Sequence, residues 1–179
     1  MPIIDQSFTT GDDDANSLRA ADSSQDYLGQ QFTPTKSGLV TQINLKLLKE
    51  GSPTGNIWTE IWSDTGADLP SAIIGGQSAN VDVSTLGATP GALITFTWST
   101  GANIIASTKY WMVLRGDYTR SDINRARWRV DNNASGNGYT GGIAALANSS
   151  ATWSALATQD LLFEQYYDPS GSGLQSKYW

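Results

Sequence analysis

The chain has 179 residues with no cysteine and no histidine, 7 tryptophans, and 11 basic against 17 acidic side chains. Without thiols or imidazoles it can form no disulfide, no zinc site built from these ligands, and no Cys–His or Ser–His–Asp nucleophile system. Its net charge of −6 does not give the basic surface of nucleic-acid binders, and no apolar run is long enough to cross a membrane. We therefore expect one domain with neither nucleic acid nor membrane as a partner.

Residues 1–26 are polar and rich in turn signals, and we interpret them as an N-terminal arm or edge segment. Short β-branched or aromatic segments bounded by Gly, Pro, Asn or Asp then recur along the chain. They cover residues 28–32, 38–48, 56–62, 79–83, 93–98, 110–115, 126–130 and 161–166. About eight such segments predict an all-β domain over residues 27–167, a two-sheet antiparallel β-sandwich of jelly-roll type. Residues 168–179 are predicted to form a flexible C-terminal tail.

Alternation along residues 56–62 separates the two faces of a strand. Ile57 and Ile61 suit the core, which puts Trp58, Glu60 and Trp62 on the outer face. Two outward tryptophans about 7 Å apart would form a flat aromatic strip. The strip is compatible with a covered cluster, a protein interface, or a platform for sugar stacking in which Glu60 binds a hydroxyl. By contrast, residues 110–114 are apolar on both faces, as in a covered central strand.

The strand at 126–130 leaves a basic stripe of Arg125, Arg127 and Arg129 on its polar face. Such a stripe can bind an acidic neighbour, a phosphate or an acidic glycan. It can also be a solvated face that balances an acidic chain.

Two acidic turns offer oxygen ligands of the kind that a structural Ca²⁺ takes, Asp12-Asp13-Asp14 and the turn that begins at Asp131. Neither turn follows the EF-hand spacing, and hydrogen-bonded turns explain them equally well. No other cofactor is indicated. No carboxylate pair stands out for acid–base catalysis, and no glycine-rich phosphate loop occurs. We therefore predict a protein that is not an enzyme.

The order of segments carries a family resemblance. Its residues are Thr9-Thr10-Gly11-Asp12-Asp13, Tyr27, Gln31-Phe32-Thr33-Pro34, Ile43-Asn44-Leu45-Lys46-Leu47, Gly51-Ser52-Pro53-Thr54-Gly55, Ile61, Asp64, Gly66, Leu69-Pro70, Ala106-Ser107-Thr108-Lys109-Tyr110-Trp111, Arg127-Trp128, Tyr139, Gly142, Trp153 and Asp160-Leu161-Leu162-Phe163. This pattern resembles carbohydrate-binding-module-type jelly rolls, which occur in bacteriophage structural proteins and in bacterial surface proteins. The charged fraction of 16% is also below the roughly 25% of an average domain.

The resemblance implies a non-enzymatic bacteriophage structural protein on the virion surface, either a capsid decoration protein or a fibre or spike component. Its expected partners are other virion proteins, further copies of itself, and a host-surface glycan. The start at Met1 without an export signal predicts synthesis in the host cytoplasm. The alternatives are a carbohydrate-binding module that stacks sugars on tryptophan, and a bacterial surface or matrix subunit.

The tail adds a further hypothesis about assembly. Tyr178 and Trp179 end a Gly/Ser-rich tether that can reach roughly 17 Å as a flexible coil. Docked into a neighbouring subunit, the two rings would anchor an assembly. A frayed terminus is the alternative.

Overall fold

A computed structural model describes residues 1–21, 24–132 and 138–169 of the chain. These residues form two antiparallel β-sheets that face each other across one core, so the predicted β-sandwich is confirmed. The strands are β1 (Ile3–Phe8), β2 (Asp14–Ser17), β3 (Tyr27–Phe32), β4 (Gly38–Glu50), β5 (Asn56–Asp64), β6 (Pro70–Gln77), β7 (Val81–Asp82), β8 (Ala92–Ile104), β9 (Tyr110–Gly116), β10 (Arg125–Asp131), β11 (Ala144–Ala147), β12 (Trp153–Leu156), β13 (Asp160–Leu161) and β14 (Phe163–Asp168).

The strand count exceeds the predicted number of about eight, since the described residues contain fourteen strands. The additional strands are short or lie at sheet edges. β6, for example, is exposed along most of its length and includes Gly75 and Gly76. β6 is held by backbone pairing more than by side-chain burial, so its sequence shows little hydrophobic alternation.

Each sheet contains seven strands. The first sheet has the order β1–β14–β4–β10–β13, with β2 paired to β10 and β8 paired to the free side of β4. The second sheet has the order β12–β11–β3–β9–β5–β6, with β7 also paired to β5. In the segment expected as an N-terminal arm, β1 pairs with β14 and β2 pairs with β10, so both are edge strands of the first sheet, and Leu18 reaches the core.

The core between the sheets is built from the inward positions of each strand. Ile43 and Leu45 of β4 and Ile57 and Ile61 of β5 are fully buried there, as the alternation predicts. A second, smaller apolar cluster lies on the outer face of the second sheet. Strand β9 is therefore covered on both faces, in agreement with its apolar sequence. Residues 170–179, with the predicted anchors Tyr178 and Trp179, lie outside the described residues.

Candidate functional site

The outer face of the second sheet carries a compact aromatic cluster. The rings of Tyr27 on β3, Trp62 on β5 and Trp153 on β12 lie with their centroids 5.8–6.3 Å apart. Trp62 is 8% exposed beneath the other two rings. Gly29 allows this packing, because a Cβ there would lie 3.3 Å from both Trp111 and Trp153. The cluster draws its rings from three strands that are distant in the sequence.

Glu60 lies between the two tryptophans that the sequence singles out. It is 3% exposed, and its Oε1 accepts a hydrogen bond from Trp58 Nε1 at 3.0 Å. Its Oε2 accepts one from Trp62 Nε1 at 2.9 Å. The predicted face of these three residues is therefore correct. They do not form an open strip, because Glu60 and Trp62 are buried and Trp58 is only partly exposed.

Arg115 of β9 completes this arrangement. Its Nη1 donates to Glu60 Oε1 at 3.0 Å, and its Nη2 donates to the Tyr27 hydroxyl at 3.2 Å. The guanidinium carbon lies 4.5 Å from the centre of the Tyr27 ring and 5.6 Å from that of Trp58, within reach of cation–π attraction. Sequence reasoning missed Arg115. Only the register of β5 against β9, which places it opposite Trp58, could have identified it.

A polar network borders the aromatic cluster at the end of the same sheet. Gln31 Nε2 donates to Asp64 Oδ2 and to Asp68 Oδ1, both at 2.9 Å, and so holds the two carboxylates together. Trp111 Nε1 donates to Asp64 Oδ2 at 2.8 Å. Lys109 forms a salt bridge with Asp68. These residues fix the loop between β5 and β6, which the sequence marks only as a turn.

Two open pockets meet at Lys109. One has a volume of about 430 Å³ and is lined by Ser63, Asp64, Gly66, Thr108, Lys109 and Tyr110. The other has a volume of about 470 Å³ and is lined by Gln31, Thr33, Asp68, Lys109, Thr140, Gly141, Gly142 and Ile143. Their polar groups could bind the hydroxyls of a small polar ligand.

The hydrogen bonds at these pockets favour the charged forms of Asp68 and Lys109. The hydrogen bond from Lys109, together with that from Gln31, lowers the pKa of Asp68. The same contact raises the pKa of Lys109. A general acid requires the opposite, a carboxyl group whose pKa is raised. Asp68 is thus suited to accepting hydrogen bonds and unsuited to donating a proton.

The arginine stripe of β10 is paired within the chain. Arg125 Nε lies 2.9 Å from Glu50 Oε2 on β4, and Arg127 Nη2 lies 3.4 Å from Asp14 Oδ1 on β2. Arg129 forms a salt bridge with the Asp12 carboxylate. The stripe therefore holds the segment before and along β2 against the sheet. The sequence predicted neither these ion pairs nor the low exposure of the three arginine side chains, which is 14–26%.

The same contacts bear on the acidic turns considered for Ca²⁺. Asp12 is bound by Arg129 and also by Lys46, whose Nζ lies 2.7 Å from Oδ2. Asp13 Oδ2 accepts a hydrogen bond from the backbone N–H of Asn132 at 3.3 Å, and Asp131 is fully buried. Within residues 1–21, 24–132 and 138–169, no three acidic side chains converge in a way that could hold a metal ion. Calcium binding and hydrogen-bonded turns stay the two alternatives for these residues, and the ion pairs of Asp12 favour the turns.

Comparison with known proteins gives no family. Neither the known protein families nor the curated proteins include a match to this sequence. The resemblance to carbohydrate-binding-module-type jelly rolls is therefore an expectation from the sequence alone. In the part of the chain that the structure describes, no helix is long and apolar enough to cross a membrane.

Proposed function

We propose that this chain is a non-enzymatic structural protein of a bacteriophage virion, located on an exposed surface as a capsid decoration protein or as a fibre or spike component. The observation that carries the proposal is that the charged residues which the sequence singles out as candidate contact residues are paired within the chain. Glu60 is occupied by Trp58, Trp62 and Arg115, and each arginine of the β10 stripe has an acidic partner in the same chain.

These contacts support a scaffold whose side chains stabilise its own two sheets. Hydrogen bonds to a buried carboxylate are among the stronger contacts in a protein. A ligand that bound Glu60 would have to break these contacts, at a cost in free energy. The resemblance in the order of segments adds the phage context. Assembly and adhesion through the surface of the sandwich would then be the function of the protein.

Mass spectrometry of purified phage particles tests this proposal directly. The chain is expected as a stoichiometric component that antibody labelling detects on the outside of intact particles. A tail or capsid protein from the same particle serves as the positive control. Absence of the chain from particles that contain the control would contradict the proposal. Flanking secretion genes in place of capsid and tail genes would favour the bacterial surface subunit.

Carbohydrate binding is a second candidate function. It is favoured by the two open pockets that share Lys109 beside the aromatic cluster. A sugar would lie against Gln31 and Asp68, with Lys109 donating to its hydroxyls. Affinity electrophoresis in gels containing bacterial polysaccharides would test it. Retardation should be lost in Lys109→Ala and retained in Lys49→Ala, which alters a lysine that contacts the Ser84 carbonyl and lines neither pocket. Equal retardation of both variants would contradict this candidate.

A further inference from the structure

Three arginines lie together at one end of the second sheet, where β9 ends and β3 begins. They line a pocket of about 160 Å³ whose residues include Arg19, Asp26, Tyr27, Arg115, Arg120 and Ser149. Half of the six arginines of the chain are therefore at this pocket, although the net charge of the chain is −6. Lys109 precedes the other end of β9, so this pocket is separate from the two pockets that share Lys109. We call it the arginine pocket.

A buried carboxylate holds two of these arginines in place. Asp26 is 5% exposed, and its Oδ1 accepts a hydrogen bond from Arg120 Nε at 2.9 Å, while Arg120 Nη2 pairs with Oδ2. Arg19 Nη1 lies 3.8 Å from the same Oδ1 and donates to the Gly116 carbonyl at 3.0 Å. Arg19 has φ +54°, in the left-handed region that residues with a side chain rarely adopt. Both guanidinium groups are thus positioned before any ligand binds, which lowers the entropy that binding costs.

The charges at the arginine pocket are arranged in two layers. The side chains of Arg19, Arg115 and Arg120 are 20%, 31% and 35% exposed. The side chains of their acidic partners Asp26 and Glu60 are only 5% and 4% exposed. A molecule that approaches from solvent therefore meets guanidinium groups before it meets a carboxylate.

Positive charge is in excess at this place. Among the described residues, the three guanidinium groups of the pocket form ion pairs with two carboxylates, those of Asp26 and Glu60. Asp117 interacts electrostatically with Arg19, but its carboxylate binds the backbone N–H of Asn56 at 2.6 Å and does not line the pocket. The surplus charge and the exposed guanidinium groups together favour an anionic ligand.

Unused donor groups indicate the class of anion. Arg19 Nη2 and Arg120 Nη1 donate no hydrogen bond within the part of the chain that the structure describes. Each carries two hydrogens, and the hydroxyl of the exposed Ser149 adds another donor. A carboxylate presents two oxygens and one negative charge, whereas a phosphate group presents three strong acceptor oxygens and a charge of about −1.5 to −2 at pH 7. A phosphate group therefore uses more of these donors. The pocket has the volume of about five water molecules at roughly 30 Å³ each, which is enough for one such group.

We propose that the arginine pocket binds a phosphate group. Arg19 and Arg120 donate hydrogen bonds to its oxygens, Ser149 donates from the rim, and Arg115 adds positive charge. This inference goes beyond the proposed structural function and does not depend on it. A free phosphate ion and a phosphate carried on a larger molecule present the same oxygens to these donors, so both are tested.

NMR titration of the full chain with inorganic phosphate at low ionic strength tests the proposal. The backbone amide signals of Gly116 and Ser149, which line the pocket, should shift and reach saturation. Ser149→Asp should weaken binding at least about tenfold, because it adds a negative charge at the rim that repels phosphate and competes for the arginines. Ser99→Asp is the matched control, since it adds the same charge at an exposed position of β8 in the first sheet.

A second pair of variants removes an arginine. Arg120→Gln should also weaken phosphate binding at least about tenfold, because it removes a charge and the free Nη1 donor. Arg125→Gln should leave the affinity unchanged, since Arg125 pairs with Glu50 and does not line the pocket. Unchanged near-ultraviolet circular dichroism would establish that each variant is folded. Should Arg120→Gln fail to fold, the comparison of Ser149→Asp with Ser99→Asp decides alone.

Several results would overturn the inference. One is the absence of saturable shifts at phosphate concentrations up to about 10 mM, which excludes binding of useful affinity. Equal weakening by Ser149→Asp and Ser99→Asp would show a response to net charge and not to the pocket. Acetate bound as tightly as phosphate would overturn the assignment to phosphate.

Glycerol phosphate as a second probe separates the two sources of the ligand. Tighter binding than that of inorganic phosphate would support a phosphate carried on a larger molecule, and weaker binding would support the free ion. Because binding is measured on the isolated chain, its failure would leave the proposed virion function standing, and absence of the chain from virions would leave the phosphate site standing.

Discussion

Glu60 is the residue whose replacement tests the interior of the candidate site most directly. Its carboxylate accepts hydrogen bonds from Trp58 and Arg115 on one oxygen and from Trp62 on the other. In Glu60→Gln the side chain keeps its shape, but one of the two oxygens becomes an amide NH₂ group. An N–H donor then faces at least one of these three donors.

The expected loss in the free energy of unfolding follows from the burial of Glu60 and Trp62. If the amide oxygen takes the position of Oε1, the buried Trp62 N–H loses its acceptor, which costs about 1–3 kcal/mol. Loss of the charge on Glu60 weakens the pair with Arg115, whose side chain is 31% exposed, and screening by solvent keeps this contribution below about 1 kcal/mol. We therefore expect Glu60→Gln to lower the free energy of unfolding by about 2–3 kcal/mol. In a chain of this size that corresponds to a Tm roughly 5–10 °C lower.

Urea unfolding followed by tryptophan fluorescence measures this change. Glu50→Gln is the matched control, because Glu50 is 43% exposed in its pair with Arg125, and such a pair contributes about 0–1 kcal/mol. In a Trp62→Phe background, which lacks the ring N–H, the cost of Glu60→Gln should fall by about 1 kcal/mol or more. Equal costs for Glu60→Gln and Glu50→Gln, or no coupling to Trp62, would refute the reasoning.

Three further predictions concern other parts of the molecule. Gln165 is fully buried, and its amide atoms have no hydrogen-bond partner among the described residues, so Gln165→Met should raise the free energy of unfolding by about 1–3 kcal/mol in urea titrations. Burial raises the pKa of Tyr139 to about 12 from 10.0. The stabilisation that this shift provides is complete below pH 10 and is lost as the pH rises towards 12, so the stability advantage of the wild type over Tyr139→Phe should shrink across that range. Because Asp12 already binds Lys46 and Arg129, adding Ca²⁺ should leave the Tm unchanged in scanning calorimetry.

Each of these predictions has a control and a contrary result. Gln42→Met on the outer face of β4 controls for added apolar area, and a Gln165→Met variant no more stable than the wild type would contradict the first prediction. A constant difference between wild type and Tyr139→Phe from pH 9 to roughly pH 12 would contradict the second. A Tm that rises with Ca²⁺ but not with Mg²⁺ would contradict the third and support a calcium site.

Sequence patterns predict the faces of strands better than their number. In β5 the alternation separates Ile57 and Ile61 from Trp58, Glu60 and Trp62, because side chains on a strand point alternately to its two faces. The same rule does not say whether an outer face meets solvent. The sequence does not identify β6, which is exposed along most of its length, or β11, which is four residues long and apolar without alternation.

The sequence by itself determined that this protein is an all-β sandwich without thiol or imidazole chemistry, since composition and strand periodicity are local properties. Only the tertiary structure decided which polar groups meet. Arg115 and Glu60 are 55 residues apart, and Arg129 and Asp12 are 117 apart. Their contacts depend on which strands are neighbours and in what register, and the free energy of many long-range backbone pairs sets that arrangement. For the same reason, only the folded chain shows that β6 and β8, which belong to different sheets, contact each other through Gly76 and Trp98.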